Sequence, residues 1–275
     1  MSSRKEGEPI TEEERIRNAL LSWFREHGRT FPWREGVPDP YKILVTELLL
    51  QKTKAEAVAE IWSNFFKAFP TVKDLSSAKE RDVLEAIKAL GLAYRAERLI
   101  ALSRQIVEKF SGEIPSSFYE LLRLRGVGPY IASAVLCFAY GKPEPIVDVN
   151  VMRLINRFRG YTDEKSVRDF ISKIISSDCP KELNWAILDI SATICKPKKP
   201  DCPSCPLDRM CLKADAQMSK WRIMRKNIGE KIRLSLQPYS VKKKSRAPTE
   251  GYFERQRNYK AGKRNNKKKN FNCIF

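Results

Sequence analysis

Four of the seven cysteines in this 275-residue chain fall within one short run, CKPKKPDCPSCPLDRMC, as Cys195, Cys202, Cys205 and Cys211. Thiols in a C-x6-C-x2-C-x5-C loop can surround a single inorganic centre, and four thiolates suit zinc or an iron–sulfur cluster alike. Zinc ribbons usually offer two separated C-x2-C pairs, whereas this loop has one. The single histidine, His27, excludes a histidine-rich metal site and supports no catalytic triad. Two carboxyl groups also stand out. Asp148 in IVDVNVMRLINRFRGY directly precedes a helix-periodic stretch; aspartate is a favoured N-cap and most such residues do only that, but a helix N-terminus also favours the ionised carboxylate. Glu47 lies inside the apolar segment DPYKILVTELLLQKTKAEAV, where an unpaired charge is costly and proton affinity rises; a salt-bridged glutamate is the commoner occupant of such a position. One carboxyl kept ionised and another poised to carry a proton is the pattern expected for acid–base bond cleavage.

The segment LLRLRGVGPYIASAVLCFAYG supplies a different chemistry. Gly126 and Gly128 flank Val127 between two apolar helical stretches, allowing a tight turn whose valine packs inward while its amides face outward. Pro129 suits the first position of the second helix, where no backbone donor is needed. Amides exposed at such a helix start form a site for a phosphate. An ordinary helix–helix turn is the frequent use of a G-x-G; its setting between apolar helices in a basic protein favours phosphate.

The elements that must hold these residues read as helices. From Glu12 to Pro206 apolar residues return every three or four positions, and no run alternates as a strand would. The class is all-α, with helices predicted over 12–27, 40–51, 53–68, 80–90, 93–111, 116–124, 129–141, 149–159, 165–176 and 181–194, and with FPTVKDLSS (69–77) read as a connection. A hydrophobic fraction of 42% supports a core without disulfides. No stretch has the length of a membrane span or the apolar core of a signal peptide, so the expectation is an intracellular protein with reduced thiols. The formal charge of +19 is concentrated at one end: from Gln217 onward lie 18 of the 52 Lys/Arg but only 3 of the 33 Asp/Glu. The tail, 216–275, has too little apolar content to pack and is expected to be disordered, either merely solvated or attracting phosphates without sequence preference.

Taken in order, FPWREGVPDPYKILVTELLLQKT, LRGVGPY, VDVNVMR and the cysteine loop resemble the helix-hairpin-helix DNA glycosylases that carry a C-terminal iron–sulfur loop. This is the superfamily of endonuclease III, the MutY adenine glycosylases and the mismatch-thymine glycosylases of thermophiles. The resemblance covers about residues 12–215. It implies a two-domain helix-hairpin-helix fold: a six-helix barrel over 36–142 ending in the hairpin, and an iron–sulfur domain combining 1–35 with 143–215. It also implies a 4Fe–4S cluster on the four cysteines, with Lys196, Lys198 and Lys199 able to meet DNA phosphates.

What the resemblance implies about activity is a monomeric base-excision enzyme acting on double-stranded DNA that contains a mispaired base. Asp148 would stabilise the oxocarbenium-like sugar, Glu47 would assist the departing base or orient water, and Asn150 would orient the carboxylate. Tyr130 stands where endonuclease III-like enzymes carry a strand-cleaving lysine, which implies a monofunctional glycosylase. Gly126, Val127 and Gly128 would hold phosphate, Lys52 and Gln51 would lie near the vacated base stack, and Trp33 and Arg34 would face the pocket. Val149 after the aspartate and the short tail depart from the adenine enzymes. They favour thymine or uracil opposite guanine over adenine opposite guanine or 8-oxoguanine. The non-enzyme alternative is a catalytically silent DNA-binding protein of the same fold.

Overall fold

A computed structural model describes residues 9–91, 93–175 and 178–212; the basic tail lies outside the described residues. In chain order these residues form α1 (Glu12–His27), α2 (Pro40–Leu50), α3 (Ala55–Ala68), α4 (Val72–Ser77), α5 (Glu80–Ile87), α6 (Tyr94–Phe110), α7 (Phe118–Leu122), α8 (Pro129–Phe138), α9 (Val149–Arg159), α10 (Glu164–Ile174) and α11 (Pro180–Thr193), with short 3-10 turns between some of them. Among the described residues there is no strand, as the periodicity requires. Local chemistry sets the helix ends. Thr11 and Glu14 close a capping box at the start of α1, and Asp163 caps α10. Helix α9 starts at Asp148 and stops at Gly160, whose φ of 75° is open to a residue without Cβ.

The helices pack in two sets around one continuous apolar core. Helices α1, α9, α10 and α11 pair among themselves; α2 packs on α3 and α8, α6 on α4 and α5, α7 on α8, and α11 touches α8. The segment joining the sets, from α8 to Asp148, is pinned by Asn184 of α11, which is fully buried. Its Oδ1 accepts from Ile146 N (3.1 Å), and its Nδ2 donates to Glu144 O (3.0 Å), Pro180 O (2.9 Å) and Cys137 Sγ (3.3 Å). A buried amide with all these partners holds the backbone that delivers Asp148. No helix among the described residues is long and apolar enough to cross a membrane.

Ten of the helices fall where the periodicity places them. The exception is α4, inside the stretch read as a connection. Its six residues are too few for a periodic signal, but Thr71 and Asp74 form a capping box: Thr71 Oγ1 accepts from Asp74 N at 3.2 Å and Asp74 Oδ2 accepts from Thr71 N at 3.0 Å. Val72 and Leu75 are buried on the face turned to α6. Replacing Thr71 with Ala removes the cap acceptor. The expected loss is about 1 kcal/mol, read as a fall in Tm of roughly 2–4 °C in a thermal melt.

Candidate active site

Glu47, Tyr130 and Asp148 are brought together from three elements. Glu47 is on α2 and only 5% exposed, because the helix is apolar on most sides and is enclosed by α3 and α8. Its carboxyl is pushed up to about 7, chiefly by burial; the positive charge of Arg34 and a hydrogen bond with Tyr130 pull it down, and the negative charge of Asp148 raises it. Its Oε2 is buried with no hydrogen-bond partner among the described residues. Tyr130, in the first turn of α8, is held well above the usual phenol range by burial and then by the charges of Glu47 and Asp148, so its hydroxyl stays neutral and can donate.

Asp148 has the opposite surroundings. It is half-buried, and one carboxylate oxygen accepts from Asn150 N (2.8 Å) and Val151 N (2.7 Å) at the start of α9. The other oxygen accepts from Asn150 Nδ2 at 3.0 Å. Asn150 is itself held: its Oδ1 accepts from Arg153 Nη1 at 2.8 Å. Arg153, buried, donates Nε to Cys195 O (2.9 Å) and Nη2 to Ser191 O (2.6 Å), so the orientation of Asp148 is tied through two side chains to the start of the cysteine loop.

Arg34, expected to face the pocket and counted among the DNA-contacting residues, makes these contacts within the protein. Its Nη1 and Nη2 form a fork on Asp189 (2.8 and 3.0 Å), Nη1 also donates to Arg29 O (2.8 Å), and the guanidinium lies over the rings of Phe31 and Trp185. Asp189, inaccessible on α11, also accepts from Arg29 Nε (2.8 Å) and Arg29 N (2.9 Å). A buried aspartate with two arginines is compensated, and the clamp fixes the cation that acts on Glu47. Trp33 is buried and stacked on Phe31, centroids 4.7 Å apart.

The hairpin lies between α7 and α8. Val127 is buried, Gly126 has φ 81°, and Gln105 bridges the turn by accepting from Arg125 N (2.9 Å) and donating to Arg123 O (2.8 Å). The N-terminus of α8 has no side-chain cap, and a Cβ at Gly128 would meet open space, so this helix start is accessible from outside. A Cβ at Gly126 would meet the side chain of Leu48, one residue beyond Glu47, at 3.6 Å. Gln51 ends α2, and Lys52 follows, exposed, with φ 58°.

The four cysteines gather on a loop folded against α9. Arg157 Nη1 donates to Lys196 O (2.7 Å) and Cys195 Sγ (3.5 Å), and Arg159 Nη1 donates to Met210 O (2.9 Å). Burial pushes the Cys205 thiol up to about 11; a hydrogen bond from the Leu207 backbone opposes this, and the negative charges of Cys195, Cys211 and Cys202 add to it. Four thiols on one loop have the chemistry of a thiolate-bound metal or cluster, but among the described residues no group of three or more His, Cys, Asp or Glu side chains is placed to hold a metal ion. Sequence reading missed Arg153, Asp189 and Asn184; a charged or amide residue on the apolar face of a helix was the available signal.

The family model for the HhH-GPD superfamily of base excision DNA repair proteins matches residues 45–177, a span that includes Glu47, the hairpin, Tyr130 and Asp148. The chain is 39% identical over 212 residues to the thymine-DNA glycosylase of Aeropyrum pernix, covering 72% of this chain and 94% of that protein. The chain belongs to the HhH-GPD superfamily. Among other HhH-GPD relatives, the adenine DNA glycosylase of Mycobacterium tuberculosis is 35% identical over 196 residues, 69% of this chain and 64% of that one. The solved structure of a thermostable thymine-DNA glycosylase aligns with a TM-score of 0.69 at 32% identity, over 73% of this chain and 95% of that one. The helix-hairpin-helix fold expected from the motifs is therefore the fold of this HhH-GPD protein.

The Glu47 environment has a measurable sign. A carboxyl raised from 4.5 to about 7 binds more protons folded than unfolded between those values, so its contribution to stability is present below pH 4.5 and is lost as pH rises through 7. Glu47→Gln removes that loss. The variant should melt higher than the parent at pH 8, with the difference shrinking toward pH 5 in a series of thermal melts.

Proposed function

We propose that this protein is a monofunctional DNA glycosylase that extrudes a mispaired base from duplex DNA and hydrolyses its N-glycosidic bond. The single observation that carries the reading is the juxtaposition of Glu47, a carboxyl that burial inclines toward its protonated form, with Asp148, a carboxylate supplied with three N–H donors. Extrusion costs a few kcal/mol and is cheapest at a mispair, which favours mismatched substrates. The hairpin amides at the start of α8 bind a phosphate beside the site. As the bond to the base lengthens, the sugar becomes cationic and Asp148 stabilises it, then assists the attacking water; Asn150 holds the carboxylate in register. Glu47 donates its proton or a hydrogen bond to the departing base, and Tyr130 supplies a neutral donor next to it. Tyr130 has no amine to attack the sugar, so the product is an abasic site in an intact strand.

The base we assign is thymine or uracil opposite guanine, supported by the extent and identity of the match to the Aeropyrum pernix thymine-DNA glycosylase. Adenine opposite guanine or 8-oxoguanine is the second reading, supported by the match to the Mycobacterium tuberculosis enzyme. The corresponding domain division is a barrel over 36–142 with 1–35 and 143–215 as the second unit, the protein acting as a monomer on DNA.

We also assign Cys195, Cys202, Cys205 and Cys211 as ligands of a 4Fe–4S cluster. Bound there, the cluster would cross-link the loop; glycosidic bond cleavage needs nothing from it. The protein's own contribution is the Arg153 and Arg157 contacts that brace the loop against α9.

In duplexes carrying T:G, U:G, A:G and A opposite 8-oxoguanine, alkali-dependent cleavage is expected at T:G and U:G, and cleavage confined to adenine would establish the second reading. Asp148→Asn should lower single-turnover excision by about 10²–10³-fold with the fold retained in circular dichroism. Tyr130→Lys should introduce strand cleavage without alkali. The purified protein should be brown with absorbance near about 400 nm and lose that colour on chelation or acid treatment; colourless protein holding zinc would overturn the cluster assignment.

A further inference from the structure

Arg95 is a buried cation on α6, 5% exposed, with no carboxylate partner among the described residues. Its guanidinium instead reaches the C-terminal end of α2, where Nη1 donates to Leu49 O at 2.9 Å and Nη2 donates to Gln51 O. These are carbonyls that a helix end leaves without intrahelical donors, at the negative pole of its dipole. The same turn is braced from within: Thr53 N donates to Leu50 O at 3.2 Å, and Thr53 Oγ1 donates to Gln51 O at 3.4 Å.

Between the two braces stands Lys52, in the left-handed region at φ 58°. Only Ser111 shares a positive φ among the described non-glycine residues. A side chain with Cβ is disfavoured there, and such a conformation persists where the surroundings over-determine it. Nothing in the packing requires a lysine at this place: the side chain is exposed and makes no ion pair with the described residues. The turn instead aims a cation outward at the end of the helix that carries Glu47, near Leu48, whose side chain a Cβ at the hairpin residue Gly126 would meet. A buried cation without a counter-charge, an exposed one held in a strained turn, and an accessible helix N-terminus in the adjoining hairpin together suit a polyanion.

We propose that Arg95 is a positioning residue for duplex recognition, acting through the Gln51–Lys52 turn. By tying down both carbonyls it holds Lys52 outward at the end of α2, where its charge can meet a phosphate of the duplex. The proposal rests on the glycosylase reading above and extends it: Arg95 and Lys52 serve the extrusion step, whereas Glu47 and Asp148 serve bond cleavage. Arg95 touches neither the base nor the sugar.

The experiment compares full-length parent protein with Arg95→Met, Arg95→Lys, Lys52→Met and the Arg95→Met/Lys52→Met double variant. Single-turnover excision is measured on one mispaired base in a fully paired duplex and on the same base already unpaired in a single strand. Arg95→Met should slow excision from the duplex by roughly 10–100-fold and from the single strand by less than about threefold, as expected for misplacement of a group outside the reacting centre. Arg95→Lys, with one donor position instead of a fork, should recover part of the duplex rate. The double variant should be no slower than the slower single variant, because both act through one turn. Each of Arg95→Met and Lys52→Met should lower the slope of log affinity against log salt for duplex binding by about 0.9, one phosphate's share.

Equal losses on both substrates, additive losses in the double variant, or unchanged duplex rates would each overturn the proposal. Lys52→Met keeps the test valid even where Arg95→Met fails to fold, since its side chain is exposed. If the parent excises no base from either substrate, the glycosylase reading fails by itself. The salt slopes then decide the positioning claim, and an unchanged slope in both variants overturns it.

Discussion

A carboxyl group enclosed in an apolar helix either keeps its proton or needs fixed cations and donors around it, and the arrangement of this protein around Glu47 follows from that constraint. Burial raises the proton affinity of Glu47. Arg34 and Tyr130 draw its proton affinity back to about 7, within reach of a working pH. Neither could do so from a flexible position. Arg34 is fixed by the fork on Asp189, Asp189 by its place on α11, and Tyr130 by the start of α8 directly after the hairpin. The second carboxylate, Asp148, differs because its partners are backbone and amide donors at a helix start and it keeps contact with solvent. Two similar side chains thus acquire different chemistry from their surroundings.

The support behind these groups is drawn from the far side of the fold. Asn184 pins the segment that delivers Asp148, and Arg153 joins Asn150 to the carbonyl of Cys195. Folding of the cysteine loop is therefore linked mechanically to the orientation of a carboxylate elsewhere in the molecule. A comparable brace lies on α6, where Arg95 donates to the carbonyls of Leu49 and Gln51 at the end of the helix that bears Glu47. In each case a buried arginine donates to main-chain carbonyls rather than to a carboxylate.

The helices were legible because apolar periodicity and capping residues report local preference, and most ends fell within two residues of the expected place. Helix α4 was not, because two buried side chains over six residues carry no period; only its capping box gave a signal. Glu47, Asp148, Tyr130 and the cysteines could be picked out by type and setting. Arg34 could be picked out too, yet its partner could not: Asp189 lies 155 positions away, and nothing local in NWAILDISAT names which cations it will receive.

Sequence by itself determined the helical class, the hairpin turn, the residue at each helix start and the chemical types available to a site, since all of these depend on neighbours within a few positions. Tertiary structure alone decided which carboxyl lost water and which kept it, that Arg34 answers to Asp189 and acts on Glu47, and that Arg153 and Arg95 brace distant backbone. The physical reason is that desolvation and Coulomb forces depend on distance in space, and the chain sets those distances only after α2, α8, α9 and α11 have closed on one another.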